Sequence, residues 1–264
     1  MKEIFDFKRF GKTLCYDLDN LRNRYGLSLI IISCLPVVMF VFFWLFYIVL
    51  GGDYKSMVLS SRISAFVCAA FTLVLSMPVK TYGFLTEKKS GSQWLTLPAS
   101  TFEKFLSMLV TVLVIVPLFF GAVYLLSDFI MSVCIPEYGK CIAGMRMPDI
   151  EDDISVYLHL THGGVFGTLY YSWVINALVF TLGAIFFKKA KVPKTILCIL
   201  VFSIIVTQIC VIVVKHPAGI INMAENWSAE QAVNRFNLTV NLISLTLIVL
   251  LSGGIFWRLK TLKH

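Results

Sequence analysis

The chain has 264 residues, of which 58% are hydrophobic and 14% charged, with a mean hydropathy of +0.83. A soluble domain is roughly 45–50% apolar and about 25% charged, so this composition excludes a single water-soluble core and calls for lipid as a solvent. The net charge of +8 sits in short basic clusters beside apolar runs rather than along one face, which excludes a nucleic-acid groove and points instead to topology signals and anionic lipid.

The first 25 residues carry a pattern of their own. Phe7, Phe10, Leu14, Leu18, Leu21 and Tyr25 recur at steps of three and four, one stripe of a helix, with Lys8, Arg9, Lys12, Arg22 and Arg24 around it. An apolar stripe with basic flanks, joined directly to a membrane span, predicts an amphipathic helix over 1–25 lying in the membrane surface; packing on cytosolic loops is the plainer alternative. The apolar run that follows is too long for a signal-peptide core and comes after a polar segment, so a cleaved leader is not expected.

A helix needs about 20 mostly apolar residues to cross the hydrocarbon. Runs between charges predict six spans, at about 28–50, 62–80, 104–127, 164–187, 195–214 and 237–257. The second is short, so Arg62 and Lys80 at its ends are expected to snorkel to the interfaces. Pro36 and Pro117 are expected to kink the first and third spans. The segments before span one, between spans two and three, between four and five, and after six hold seventeen Lys and Arg, against six in the other three loops. That bias predicts both termini in the cytoplasm of a multi-pass protein of the cytoplasmic (inner) membrane. The expected fold is all-α: one polytopic transmembrane domain, 1–264, of six helices with an interfacial helix at its N-terminus.

The loop over 81–103 is the most informative. Ser90-Gly91-Ser92 breaks the helix leaving span two, and Trp94, Leu95 and Leu97 place large apolar groups among charges. Pro98 and the capping box Ser100-x-x-Glu103 then restart a helix into span three. The result is a cytoplasmic elbow whose exposed aromatic tip resembles a partner-binding hot spot, unless Trp94 sits at the headgroups.

Glu87, Lys88, Gly91, Leu95, Leu97-Pro98-Ala99-Ser100 and Glu103-Lys104 resemble the second-to-third-span loop of ABC-2-type transporter permeases. Six spans, cytoplasmic ends and an interfacial N-terminal helix are similar to that family too. The resemblance implies a coupling loop that docks into a separate cytosolic ABC ATPase, in a complex with a second permease copy or a related permease. It further implies that Trp94, Leu95 and Leu97 anchor the dock while Glu87, Lys88, Lys89 and Glu103 set its register. The chain departs from the family in its outer loops. The segment between spans five and six is short, and the longest external loop is 128–163, between spans three and four.

No G-x-x-x-x-G-K-[ST] motif is present, so ATP would be bound only by a partner subunit, and the chain itself is expected to be neither an enzyme nor a cofactor protein. No acid or base falls inside the six predicted spans, which argues against a proton-coupled pump. Of the seven cysteines none forms a C-x-x-C pair; Cys134 and Cys141 share the outer loop, where an oxidising compartment permits a disulfide. His159 and His162, after the acidic turn at 149–153, are the residues a metal-dependent hydrolase would use. A solvated turn followed by headgroup histidines accounts for the same pattern. A membrane sensor or assembly factor whose elbow binds another partner is the remaining alternative.

Overall fold

The computed structural model describes residues 5–51, 53–87, 91, 93–94, 96–135, 138–139, 165–215 and 229–262, without the side chains of 165–170 and 209–237. Every regular element among them is helical. In chain order these are α1 (Phe7–Ser33), α2 (Leu35–Leu50), α3 (Tyr54–Tyr82), α4 (Thr101–Val110), α5 (Val116–Cys134), α6 (Val165–Phe186), α7 (Lys191–Lys215) and α8 (Ala229–Thr261). Five stretches are long and apolar enough to cross a bilayer: Phe7–Leu50, Tyr54–Thr86, Thr101–Cys134, Lys191–Gln208 and Leu238–Thr261. The 22 residues of α6 supply a further apolar helix. The protein is an all-α, multi-pass membrane protein.

The prolines act where expected. Pro36 cannot donate to the carbonyl four residues back, and the helix breaks at Cys34, with Pro36 in the first turn of α2. A π-helical segment, Thr111–Ile115, joins α4 to α5 just before Pro117. The boundary expected at residue 25 is displaced: α1 is unbroken through Ser33, so the amphipathic stripe and the start of the first apolar run share one helix. Alone, the 16 residues of α2 reach only about 24 Å, and the last turns of α1 are needed to complete a span.

The chain divides into two compact units, residues 1–147 with 259–264, and residues 148–258. In the first, α3 packs against α1 and α2, and α1 also packs against α4 and α5. It buries Ala65, Ala69, Leu73 and Met77 at steps of four, the small residues allowing close helix approach. In the second, α6 meets α7 at Gly183, where an added Cβ would collide with the Thr195 side chain. Arg258 of α8 donates from Nε to the Ile185 carbonyl of α6 (3.3 Å). Asn176 donates to the Ser172 carbonyl within its own helix (2.8 Å).

Span two is not short, and Arg62 does not snorkel. Asp53 caps α3 by accepting from Ser56 N (3.1 Å), so the helix starts eight residues before Arg62 and runs 29 residues, about 43 Å. Arg62 is 4% exposed. Its Nε lies 3.6 Å from the buried Asp128 carboxylate, its Nη2 donates to Tyr138 O (2.8 Å), and its guanidinium stacks 4.0 Å from the Tyr138 ring. The Tyr138 hydroxyl donates to Asp128 (3.0 Å). Asp128 is helical because α5 passes the expected end at 127 and continues to Cys134. Both charges therefore lie within long apolar helices, and a long-range ion pair keeps them inside the fold.

Removing one partner of a buried pair strands the other charge at a cost of about 3–5 kcal/mol, whereas removing both costs far less. Asp128→Ala should lower the thermal midpoint in detergent sharply, Asp128→Asn less because Tyr138 keeps its acceptor, and Arg62→Leu with Asp128→Leu less than either single truncation. Equal losses for all three would show that the pair carries no coupling.

Candidate functional site

The elbow between α3 and α4 begins with a 3-10 turn, Gly83–Thr86, in which Phe84 and Leu85 are buried. It ends at the capping box foreseen from the sequence: Ser100 Oγ accepts from Glu103 N (3.2 Å) and Glu103 Oε2 accepts from Ser100 N (2.8 Å). Both partners lie within one turn, which is why local sequence reveals them.

Glu103 does more than cap, and it is not exposed. It is fully buried, and its Oε1 accepts from Arg9 Nη2 (3.1 Å) and from the backbone N–H of Asp6 (2.9 Å). Asp6 in turn caps α1 through Lys8 N (2.9 Å). One carboxylate thus ties the start of α1 to the start of α4, and it is not available to set a register with a partner protein.

Trp94 is also corrected. It is 1% exposed, so it is not a protruding anchor. Its Nε1–H donates to Asp17 Oδ1 (2.9 Å), Ser107 Oγ donates to Asp17 Oδ2, and the Lys104 ammonium stands 5.5 Å from the indole ring. A buried indole keeps its N–H satisfied only if an acceptor meets it, and Asp17, itself fully buried, is that acceptor. Beside this contact, Asn20 donates to the Thr81 carbonyl (3.4 Å) and Arg24 stacks 4.3 Å from Phe84.

Arg9, Thr13, Asp17, Asn20 and Arg24 form a polar stripe on α1 at steps of three and four, buried at Thr13 and Asp17 and more open to solvent at its two ends. It lies roughly a quarter turn round the helix from the apolar stripe, at about 100° per residue. Of the apolar stripe, Tyr25 is buried, Phe10, Leu14, Leu18 and Leu21 are partly exposed, and Phe7 is 80% exposed. Sequence reasoning missed Asp17 because a polar stripe on an amphipathic helix looks like a solvated face; the regular spacing of Thr13, Asp17, Asn20 and Arg24 was the available signal.

The remaining elbow residues divide plainly. Glu87, Gln93, Thr96 and Pro98 are exposed and Leu97 is partly buried. Lys88, Lys89 and Leu95 lie outside the described residues, as do Cys141, His159 and His162; Cys134 ends α5 on an exposed face. Among the described residues no group of His, Cys, Asp and Glu is placed to hold a metal. Set against models of known families, curated proteins and solved structures, the chain matches none.

Asp17 lies about ten residues before the first apolar run. Burial pushes its carboxyl up to about 6, against hydrogen bonds from Ser107 and Trp94 that pull it down. Between the ordinary carboxylate value and about 6 the folded protein holds the extra proton, so the carboxyl's contribution to stability falls as pH rises through that window. Measured against Asp17→Asn, the wild-type thermal midpoint should rise by several degrees on going from pH 7.5 to 4.5. Asp17→Ala, which strands the indole N–H, should cost about 1–3 kcal/mol at either pH. A wild-type midpoint that tracks Asp17→Asn at every pH would contradict this.

Proposed function

We propose that the chain is the membrane subunit of an ATP-driven exporter or flippase of the ABC-2 type, with Glu87–Lys104 as the element that receives force from a separate cytosolic ATPase. The observation that carries this reading is the bracing of the elbow. Trp94 is held by Asp17, and Glu103 is held by Asp6 and Arg9, so the segment is fastened both to α1 and to the helix entering the third span. A loop that merely linked two spans would need no such buried anchors. A braced one moves as a body with α1 and α4, and a push at its surface reaches the bilayer rather than dissipating in the loop.

The roles of the residues shift accordingly. Trp94 and Glu103 are the internal brace, and the described surface offered to the ATPase consists of Glu87, Gln93 and Thr96. The half-exposed stripe of α1 from Phe7 to Leu21 fits contact with the cytoplasmic leaflet, with the basic residues beside it drawn to anionic headgroups. Two copies of the permease, or this chain with a related one, would flank the substrate path in the inner membrane, with the termini on the ATPase side.

The test is co-reconstitution with a P-loop ATPase encoded beside this chain. The permease should change that ATPase's turnover in liposomes several-fold. Glu87→Lys with Thr96→Asp should abolish the change while leaving the permease's thermal midpoint within a degree or two. Trp94→Ala should lower the midpoint as well, since truncating a buried Trp costs about 3–5 kcal/mol. ATPase turnover indifferent to the permease would sink the proposal.

A further inference from the structure

At the end of α3 away from the elbow lies a cavity of about 660 Å³, between α2, α3 and the segment around Tyr138. Trp44 and Tyr47 line it from α2, Tyr54, Lys55 and Arg62 from α3, and Tyr138 closes it. Lys55, Leu59 and Arg62 follow at steps of four and three, so α3 turns one face to the cavity, with the cations about 10 Å apart along it. Its size suits a head group with the first part of a chain.

The electrostatics select the sign of the occupant. Among the described residues both charged side chains of the lining are basic. Asp128 stands behind Arg62 and offsets its charge, while Lys55 is exposed and has no ion pair among the described residues. A cationic head group, which an aromatic box would otherwise attract, meets that positive charge and is repelled. The apolar part of the occupant is equally constrained. Trp44 is 44% exposed on a helix whose Val41, Leu45 and Ile48 are also exposed, so a chain leaving the cavity past Trp44 runs over a surface suited to acyl chains.

We propose that this cavity binds an anionic amphiphile, with its phosphate or carboxylate head at Lys55 and its hydrocarbon passing over Trp44 onto α2. The site does not depend on the elbow or on an ATPase. The amphiphile can be a membrane lipid or a free single-chain anion, and both present the same chemistry to the cavity.

The test uses the full chain in a neutral maltoside detergent, titrated calorimetrically with dodecyl phosphate and with dodecylphosphocholine, which share a chain and differ in head-group charge. Dodecyl phosphate should bind at least tenfold more tightly. Lys55→Glu should erase that preference, and Leu59→Trp, which fills the cavity, should weaken dodecyl phosphate by about tenfold or more. Both positions are solvent-accessible, so a thermal midpoint near wild type checks that the variants fold. In nanodiscs of equal phosphatidylglycerol and phosphatidylcholine, retention of phosphatidylglycerol, seen by native mass spectrometry and lost in Lys55→Glu, identifies a membrane lipid as the occupant. Dodecyl phosphate binding that phosphatidylglycerol does not displace identifies a free amphiphile. Equal affinity for the two detergents, or a phosphate affinity that survives both substitutions, overturns the proposal.

Discussion

The first unit of this protein depends on a carboxylate kept out of water. Asp17 sits on a helix face that its neighbours would otherwise leave to solvent, and it accepts from the Trp94 indole and the Ser107 hydroxyl at once. Burying an acid without partners costs several kcal/mol. With two donors the same group becomes a specific joint, because no other geometry satisfies the indole and the acid together. The joint makes α1, the elbow and α4 a single mechanical piece. Glu103 repeats the device one turn earlier on α4, where it accepts from Asp6 and Arg9.

α3 links this joint to a second buried polar cluster. From Arg62 to Tyr82 it rises about 30 Å, the thickness of a hydrocarbon core. The intervening buried face, Ala65, Ala69, Leu73 and Met77, is apolar. Polar chemistry is thus kept to the two ends of that stretch. At one end, Asp17, Trp94 and Glu103 fasten the elbow; at the other, Arg62, Asp128 and Tyr138 fasten the segment after α5 and wall the aromatic cavity.

What the sequence disclosed follows from the range of the forces involved. The apolar runs, the break near Pro36, the change of helix before Pro117 and the Ser100–Glu103 cap all depend on residues within a turn or a span of one another, and each is visible in the structure. The long-range pairings were not visible. Trp94 and Asp17 are 77 positions apart, so an aromatic among charges looked like an exposed tip when it was a buried brace. Arg62 looked like the edge of a short span because its partner, Asp128, lies beyond the apparent end of the third. The boundary at Cys34 was misplaced for a related reason. A change from polar to apolar composition near residue 25 marks where lipid begins, not where the backbone bends, and the bend is set by Pro36.

The central claim is that Trp94 is an internal brace held by Asp17, and its own fluorescence tests it most directly. With Trp44, Trp173, Trp227 and Trp257 replaced by Phe, the remaining indole should emit in the blue and resist acrylamide. Asp17→Ala in that background should shift the emission to the red and open the indole to the quencher. An indole quenched as readily as free tryptophan, with or without Asp17, would contradict the account.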